Sequence, residues 1–481
     1  LMKITIQTKV TKNDLLIIPF YEGKNPKPTQ EEALTHQHQP DFEGKLSETV
    51  MVYQKDKITP RLLLVGLGPQ KKETEETWRR AGGAGSSRLK KAIQELAIIA
   101  PKESPELITA FVEGILLGHY QYEEIFTDKS RRLQKLKSLQ IIVTDKKLHK
   151  KLNDAVLEVV EKVIAVHLVR DLVNAPSNYM SPTLMAKKAQ EIAKKSRAMS
   201  CKVYGESWIK KMKMGCLLGV GQGAAEESKF IVLEHKYKPK NKKPIVLIGK
   251  GVCFDAGGIN IKTRELPEMK FDMAGAATVL GIFQLLAKYK LPLYVIGITP
   301  CAENLLGAKA IKPGDILTAY DGTTVEIKNT DAEGRLILGD AIAYANKKYK
   351  PETIIDIATL TGAAIAALGY DISALVSNNN DLTKKLQQAA LETGEKVWEL
   401  PLDPDYKSKI KGVAADIDNY TASTSAGTIM GGAFLEHFVK KTPWAHLDMG
   451  GSGWANEAKP YIPKGATGRL VRTLWEFLKN V

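Results

Sequence analysis

The stretch IVLIGKGVCFDAGG, residues 245–258, decides the fold class. Its first four residues are continuously apolar, and Lys250 and Asp255 follow them closely between glycines. A short, uninterrupted apolar run is typical of a strand that is buried on both faces, as in a parallel sheet covered by helices. Charged residues directly after such a strand lie at its carboxyl end, where open α/β sheets bind ligands.

Further apolar runs and helical stretches alternate with this one. The runs are Phe230–Leu233, Ile245–Ile248, Leu293–Gly297 and Thr353–Ala358. Helical periodicity covers Gly275–Lys288 and Leu336–Lys348, and the pair Asp321-Gly322 between two short strand-like runs predicts a hairpin. The alternation predicts an α/β domain with a mainly parallel central sheet that is flanked by helices.

The first 150 residues predict a smaller α/β domain. Arg61–Gly68 and Gln140–Thr144 are strand-like apolar runs. Apolar residues at helical spacing over Asp154–Val169 predict a long connecting helix that leads into the breaker cluster Asn174–Ser177. We therefore predict two domains, one over residues 1–150 and a larger one, with the connecting helix, over residues 151–481.

Composition excludes several classes of protein. Of the 481 residues, 44% are hydrophobic and 26% are charged, which is typical of a globular chain and not of a disordered one. No apolar run approaches the roughly 20 residues that span a bilayer, and we find no signal peptide. The four cysteines share no CxxC spacing and are expected to be buried, reduced thiols. These features predict a cytoplasmic protein without a membrane partner.

The net charge of +15 raises the question of nucleic-acid binding. Residues 161–250 carry +11 of it, whereas residues 251–481 carry −1. The excess lies in lysine-rich stretches such as Lys236–Lys243, for which a solvated basic face is the simpler interpretation. Nucleic acid is therefore not expected as the main partner.

Several common catalytic motifs are absent from the sequence. There is no GxGxxG or GxxxxGK[ST] nucleotide loop, no HExxH among the eight histidines, and no GxSxG nucleophile turn. The glycines of Gly66–Gly68 and Gly219–Gly223 are interpreted as structural turns. The pattern excludes a nucleotide fingerprint, a histidine-based zinc helix and a serine-hydrolase elbow.

Charged residues gather near the ends of the predicted strands and at the turn after the hairpin. They are Asp255, Asp272, Asp331, Glu333, Lys250, Lys262 and Arg335. Four carboxylates in one crevice would repel each other unless cations neutralised them, and two divalent ions would balance their charge. A single loop aspartate is more often a cap or turn residue, and Lys250 is also consistent with a salt bridge to Asp272. The residues alone thus support a carboxylate metal site as a hypothesis.

The segment NTDAEGRL, residues 329–336, resembles the signature of the leucyl aminopeptidase family, the cytosolic di-metal peptidases of the M17 type. Support comes from the C-terminal two-thirds, through Arg170–Asn174, Val220–Gly223, Lys250–Asp255 and Pro443–Asp448. The N-terminal third resembles the family weakly, mainly through Leu64–Gly68. The resemblance implies a metal-dependent aminopeptidase that removes N-terminal residues, preferably leucine-like ones, from peptides. It also implies a homohexamer.

The resemblance further implies roles for individual residues. The ligands of two divalent ions (Zn²⁺ or Mn²⁺, with Mg²⁺ as a further choice) would be Lys250, Asp255, Asp272, Asp331 and Glu333. Lys262 and Arg335 would be catalytic, with a bicarbonate ion near Arg335. The substrate would be bound by Met269, Thr359, Leu360, Gly362 and Gly450. Without the resemblance, Lys262 is also consistent with a surface lysine, and Thr359–Gly362 with a strand-to-helix turn.

The sequence is compatible with more than one range of substrates. Gly450 and Gly453 lie where related enzymes have larger residues around the pocket for the substrate's first side chain. A narrow Cys-Gly dipeptidase with the same chemistry is one alternative. A DNA-binding regulatory role, which some family members combine with catalysis, is a second hypothesis suggested by the basic charge, although no helix-turn-helix pattern supports it.

Overall fold

The computed structural model describes residues 2–23, 42–54, 58–89, 92–99, 102–421 and 425–481, so His36 and His38 lie outside the described residues. The chain forms two compact units. The first contains Leu1–His167 and Asn456–Lys464, and the second contains Leu168–Ala455 and Gly465–Val481. Each unit has a sheet of its own.

The first unit is built on a six-stranded sheet. Its strands are β1 (Lys3–Gln7), β2 (Leu15–Tyr21), β3 (Thr49–Tyr53), β4 (Arg61–Gly68), β5 (Glu95–Ile99) and β6 (Ser138–Ile142), in the order β1-β6-β5-β2-β4-β3. All neighbours are parallel except β3 with β4. The helices are α1 (Glu75–Ser86), α2 (Pro105–Gly118) and α3 (His149–Asn174). Apolar side chains of β2 and β4, among them Leu16 and Leu64, form a buried cluster on one face of the sheet.

The division between the units differs from the predicted boundary at residue 150. Helix α3 is continuous over His149–Asn174, and the compact units separate inside it, between His167 and Leu168. Asn456–Lys464 also returns to the first unit. Hydrophobic periodicity locates a helix, but it does not show where along that helix the packing partners change. For this reason the sequence placed the boundary at the start of the helix.

The second unit contains the remaining strands. They are β7 (Met199–Tyr204), β8 (Lys229–Lys236), β9 (Ile245–Gly249), β10 (Gly251–Asp255), β11 (Tyr294–Asn304), β12 (Ile316–Thr318), β13 (Thr324–Glu326), β14 (Thr353–Ala358), β15 (Ser373–Ser377), β16 (Val397–Glu399), β17 (Ile417–Asp418), β18 (Trp444–Asp448), β19 (Trp454–Ala455) and β20 (Gly465–Ala466). The large sheet has the order β16-β15-β18-β14-β9-β11-β8-β7, with β10 beside β11. Its central strands β18, β14, β9 and β11 are parallel, and antiparallel pairs join β15, β8 and β7 on either side. The predicted mainly parallel sheet is confirmed.

Helices cover this sheet. They are α4 (Pro182–Ala193), α5 (Glu206–Lys211), α6 (Gly215–Gly221), α7 (Ala274–Tyr289), α8 (Gly334–Tyr349), α9 (Gly362–Leu368), α10 (Asn380–Thr393), α11 (Pro404–Ser408), α12 (Gly427–Val439) and α13 (Val471–Lys479). Alternate residues of a strand point to opposite faces, and Val246 and Ile248 of β9 share a buried cluster with Leu336 of α8. Helix α7 also packs on β9. This burial on both faces explains the continuously apolar sequence of β9.

Local predictions in the second unit are largely confirmed. Helices α7 and α8 extend the two predicted helical stretches by one or two residues at each end, and β12 and β13 form the predicted antiparallel hairpin. Two predictions were wrong. Gly219 and Gly221 belong to α6 and not to a turn, and Cys201 is only half-buried, unlike the other three cysteines.

One helical stretch, Leu266–Tyr289, is long and apolar enough by composition to cross a membrane, with a mean hydropathy of 1.2 over its most apolar window. In the sequence, Lys270 and Asp272 interrupt this stretch, so it does not stand out as one apolar run. The stretch combines a 3-10 helix, Leu266–Met273, with α7, and 78% of that window is buried inside the fold. Such burial is typical of a core helix in a globular domain.

Candidate active site

The predicted ligand residues come from three segments near the carboxyl ends of the central strands. Lys250 lies between β9 and β10, and Asp255 is the last residue of β10. Asp272 lies in the 3-10 helix before α7, whereas Asp331 and Glu333 lie in the loop that leads into α8. The second unit therefore brings together five residues that are up to 83 positions apart in the sequence.

The carboxylates converge. Asp255, Asp331 and Glu333 each offer one oxygen, and these three oxygens lie within 4.8 Å of one another. Lys250 connects Asp272 to this group. Its Nζ lies 2.8 Å from both carboxylate oxygens of Asp272 and 2.8 Å from Oε1 of Glu333. All four acids are buried except Asp331, which is half-buried.

Lys262 reaches the same cluster from the loop after β10. Its Nζ lies 2.9 Å from Oδ2 of Asp255 and 2.5 Å from Oδ1 of Asp331. The side chain is 21% exposed, so the surface-lysine interpretation is wrong for this position. Two ammonium groups thus face four carboxylates, which leaves two negative charges without a counter-charge among these six residues.

The pKa values of the acids reflect this crowding. Burial, reinforced by Glu333, raises the pKa of Asp255 to about 6, against the opposing effects of Lys262 and Lys250. Burial also raises the pKa values of Asp272 and Asp331. Glu333 differs, because Lys250 and Lys262 overcome its burial and hold its pKa below the usual range. The fold therefore brings together carboxyl groups whose full ionisation is unfavourable unless more positive charge is added.

This donor set fits divalent cations. Carboxylate oxygens that converge within coordination range are ligands for Zn²⁺, Mn²⁺ and Mg²⁺, and the two uncompensated charges call for cations. Lys250 is consistent with a ligand as well as with a salt bridge, because its amine points directly at Asp272 and Glu333. Acting as a ligand would require that amine to lose its proton, since an ammonium has no lone pair.

Two glycines let the site close this tightly. A Cβ atom at Gly334 would lie 2.5 Å from Cε of Lys250, so any side chain there would displace the lysine. Gly257 has φ +87°, a left-handed conformation that favours glycine, and a Cβ atom there would lie 2.9 Å from Oδ1 of Asp331. Both residues follow predicted ligands in the sequence. Steric exclusion of a side chain therefore explains why glycine occurs at these two positions.

Polar residues lie behind the carboxylates, and one of them, Asn304, was not expected from the sequence. Asn304 donates from Nδ2 to Oδ1 of Asp255 (2.8 Å) and to the carbonyl of Thr330 (3.0 Å), so it joins the two acidic segments. The Thr359 hydroxyl donates to Oδ1 of Asp272 (2.6 Å). Asn304 ends β11, which runs seven residues beyond the predicted run Leu293–Gly297, so the short prediction hid its place at the carboxyl end of a strand.

Arg335 occupies the first turn of α8 and is buried, with 7% exposure. Its Nη1 donates to the carbonyl of Asn419 (3.0 Å), while its Nε has no hydrogen-bond partner among the described residues. Burial lowers the pKa of Arg335, and Glu333 and Asp448 oppose that effect. A buried guanidinium with a free donor is suited to hold a small anion.

The predicted substrate residues occupy two neighbouring loops and the 3-10 helix. Thr359 is buried and its carbonyl accepts from Lys250 (3.0 Å), Leu360 is half-buried, and Gly362 is exposed with open space around it. Gly450 lies against this loop, since a Cβ atom there would be 2.6 Å from the carbonyl oxygen of Thr361. Met269 is half-buried in the 3-10 helix that carries Asp272.

Comparisons with known proteins identify the family of this chain. The model of the cytosol aminopeptidase family catalytic domain matches residues 167–475, and that of the family's N-terminal domain matches residues 17–129. A probable cytosol aminopeptidase from Geobacter sp. strain M21 is 41% identical over 446 residues, covering 92% of this chain and 90% of the relative. One from Cenarchaeum symbiosum strain A is 39% identical and covers 91% and 89%.

A solved structure has a similar fold. The bottromycin maturation enzyme BotP, in complex with Mn, superposes with a TM-score of 0.87 at 30% identity, covering 97% of this chain and 99% of BotP. Its manganese supports divalent-metal use on this fold. Family models over both parts of the chain and relatives of about 40% identity over nine-tenths of it lead to one conclusion: this protein is a member of the cytosol aminopeptidase family, a family of metal-binding peptide hydrolases.

Proposed function

We propose that this protein is a metal-dependent aminopeptidase that releases N-terminal residues, preferably leucine-like ones, from peptides with a free N-terminus. The observation that carries the proposal is the convergence of three carboxylates within 4.8 Å beside two buried or half-buried lysines. Family membership supports the reaction class, whereas the substrate preference rests on the sequence resemblance alone.

The proposed ligands divide between two divalent ions. Lys250, Asp255, Asp272 and Glu333 would hold one ion, and Asp255, Asp331 and Glu333 the other, so that Asp255 and Glu333 contact both. When bound, the ions would lower the pKa of a water towards neutrality and polarise the scissile carbonyl. Zn²⁺ or Mn²⁺ is proposed, with Mg²⁺ as a further choice, because oxygen and amine donors accept all three.

Lys262 is proposed to stabilise the oxyanion of the tetrahedral intermediate. Its ammonium already points into the carboxylate cluster at 2.5–2.9 Å, and its flexible stem and partial exposure leave it able to turn towards a substrate. Arg335 is proposed to hold a bicarbonate ion, with its unpartnered Nε as one donor. Because the neighbouring carboxylates are assigned as metal ligands, this anion would accept the proton from the attacking water.

The loop Thr359–Gly362, with Gly450 and Met269, is proposed to bind the substrate backbone and first side chain. The open space around Gly362 and the half-buried Leu360 and Met269 support this assignment. A homohexameric assembly is proposed from the family resemblance only, and a cytoplasmic location from composition and cysteine usage.

Acetylation of the substrate tests the proposal. A free amine has a lone pair that can ligate a metal, whereas an acetylated amine has its lone pair delocalised into the amide. We expect hydrolysis of Leu-amide and no measurable hydrolysis of N-acetyl-Leu-amide under the same conditions. Comparable hydrolysis of both would rule out an aminopeptidase.

Two assays separate the alternatives. A panel of aminoacyl amides together with Cys-Gly would identify a narrow dipeptidase if only Cys-Gly were cleaved. A gel-shift assay over a range of salt concentrations would reveal DNA binding if the affinity fell steeply with salt, as it does when lysines displace phosphate counterions.

A further inference from the structure

Asp448 ends β18 and is buried, with 1% exposure. Its Oδ1 accepts hydrogen bonds from two backbone N–H groups, that of Leu360 at 3.0 Å and that of Gly450 at 2.9 Å. These two groups belong to different segments of the chain. One carboxylate oxygen therefore joins the loop Thr359–Gly362 to the loop after β18.

The second oxygen of Asp448 extends this connection. Oδ2 accepts a hydrogen bond from the Thr361 hydroxyl at 2.7 Å. The same hydroxyl accepts from the backbone N–H of Ala364 (3.2 Å), which caps helix α9, and lies 2.7 Å from the hydroxyl of Thr428 in α12. Asp448 thus fixes the start of one helix and connects it to a second.

The anchored loop continues to the carboxylate cluster. Its first residue, Thr359, accepts from Lys250 through its carbonyl (3.0 Å) and donates to Asp272 through its hydroxyl (2.6 Å). Within the described part of the chain, Asp448 makes no hydrogen bond to any proposed ligand, so its influence passes through this loop. Movement of the loop would displace the proposed substrate wall relative to the carboxylates.

We infer that Asp448 is a positioning residue that sets the spacing between the two walls of the substrate pocket. The inference rests on the proposed function, because Leu360 and Gly450 are the residues proposed to line that pocket. The walls are held close, since a Cβ atom at Gly450 would lie 2.6 Å from the carbonyl of Thr361. The inference predicts an effect on substrate affinity and selectivity that exceeds the effect on turnover.

Two substitutions at this position separate positioning from charge. Asp448→Ala removes the two oxygens that accept the three hydrogen bonds. Asp448→Asn keeps an oxygen for the two N–H groups and offers an amide that can donate to Thr361, so the loop keeps its geometry while the charge is lost. We expect Asp448→Ala to raise KM for a leucine anilide roughly tenfold or more, the scale of one lost hydrogen bond to a charged group. The Asp448→Asn value should stay within about threefold of wild type.

The structure supplies a matched control. Asp356 lies on the same face of the neighbouring strand β14 and is as buried, but it pairs with His446 (2.5 Å) and Trp444 (2.6 Å) and not with the loop. Asp356→Asn should leave KM and the leucine-to-alanine preference unchanged, while Asp448→Ala should weaken that preference. Equal KM and preference in folded Asp448→Ala and wild type would overturn the inference, as would an Asp448→Asn defect as large as that of Asp448→Ala.

Hydrogen–deuterium exchange gives a readout that is independent of activity. Amides in peptides covering residues 359–368 and 448–453 should exchange faster in Asp448→Ala than in wild type, and those in β9 should not. Unchanged exchange in both peptides would overturn the inference, whatever the kinetic assays show. Absence of hydrolysis by the wild-type protein would instead overturn only the proposed function.

Discussion

Two buried carboxylate sites in the second unit differ in how far their negative charge is balanced by neighbouring groups. Glu395 is 3% exposed, and its Oε2 accepts from the backbone N–H groups of Leu470 and Thr473 (both 3.0 Å) and from the Thr473 hydroxyl (2.8 Å). Nε of Arg472 lies 3.3 Å from its other oxygen. One negative charge thus sits at the start of α13, where the helix dipole and a guanidinium balance it.

The carboxylate cluster at the ends of the central strands lacks such balance. Four acids face two lysines, and burial with mutual repulsion raises the pKa values of Asp255, Asp272 and Asp331. The contrast teaches that burial of an acid does not by itself identify a functional site. The distinguishing feature is negative charge that the chain's own donors leave uncompensated.

The largest difference between the two sites is expected in the effect of substitutions on catalytic activity. Asp255→Asn and Glu333→Gln each remove a proposed ligand of both ions and should lower kcat/KM on the order of a thousandfold or more, as expected for members of one catalytic unit. Glu395→Gln should leave kcat/KM within about twofold, because Glu395 touches only structural groups. Steady-state kinetics on a leucine amide provide the measurement. Similar losses in the Glu395 and Glu333 variants would remove the distinction between the two sites.

The next largest contrast is expected between substitutions of the two lysines in the cluster, which should differ in their effect on bound metal. Lys262→Ala should retain bound metal but lower kcat by roughly 10²–10³, the usual effect of removing one oxyanion-stabilising group. Lys250→Ala should lose metal as well as activity, because Lys250 is proposed as a ligand. Metal content by elemental analysis, measured beside kcat, tests this. If both variants kept their metal and differed little in rate, the assigned roles would be wrong.

Metal affinity should depend on pH. The pKa of Asp255 is raised to about 6, so this acid holds a proton below that pH in the metal-free protein, and Lys250 must also release a proton in order to bind. Each proton displaced by the metal changes affinity roughly tenfold per pH unit. Affinity should therefore rise with pH, most steeply below pH 6, in a competition titration with a chelating dye. A flat profile from pH 5 to 8 would contradict this.

The smallest contrast concerns the stability of the metal-free protein. A raised pKa means that the ionised form of Asp255 is disfavoured in the fold, so Asp255→Asn should stabilise metal-free protein by about 1–3 kcal/mol at pH 8. The gain should shrink as the pH falls from about 6 towards 4, because wild-type Asp255 is then protonated in the fold. Glu395→Gln should instead destabilise, by about 1–3 kcal/mol. Denaturant unfolding at pH 8 measures the free energy of unfolding of each variant relative to wild type. A change of the same sign in both variants would contradict the comparison.

The sequence predicted the parts of this site that follow from local pattern. The apolar run of β9 and the charged residues after it located Lys250 and Asp255, because a buried parallel strand needs apolar residues on both faces and ends in the ligand crevice. The segment Asn329–Leu336 contributed Asp331, Glu333 and Arg335 through its resemblance to the family signature. These features depend on residues within a few positions of each other.

The parts that the sequence did not reveal depend on contacts between distant segments. Asn304 meets Asp255 only because β11 lies next to β10 in a particular register. Asp448 reaches Leu360 because β18 ends beside β14. An isolated Asn or Asp after an apolar run is usually a cap or turn residue, so its partner becomes visible only when the strand order is known.

Metal titration tests the central claim most directly. The account holds that the uncompensated carboxylates bind two divalent ions that hydrolysis requires. Protein treated with a strong chelator should not hydrolyse a leucine amide, and titration with Mn²⁺ should restore hydrolysis as two ions bind per chain. The Glu395→Gln variant should regain activity in the same way, whereas Glu333→Gln should not. Full activity in demonstrably metal-free wild-type protein would contradict the account.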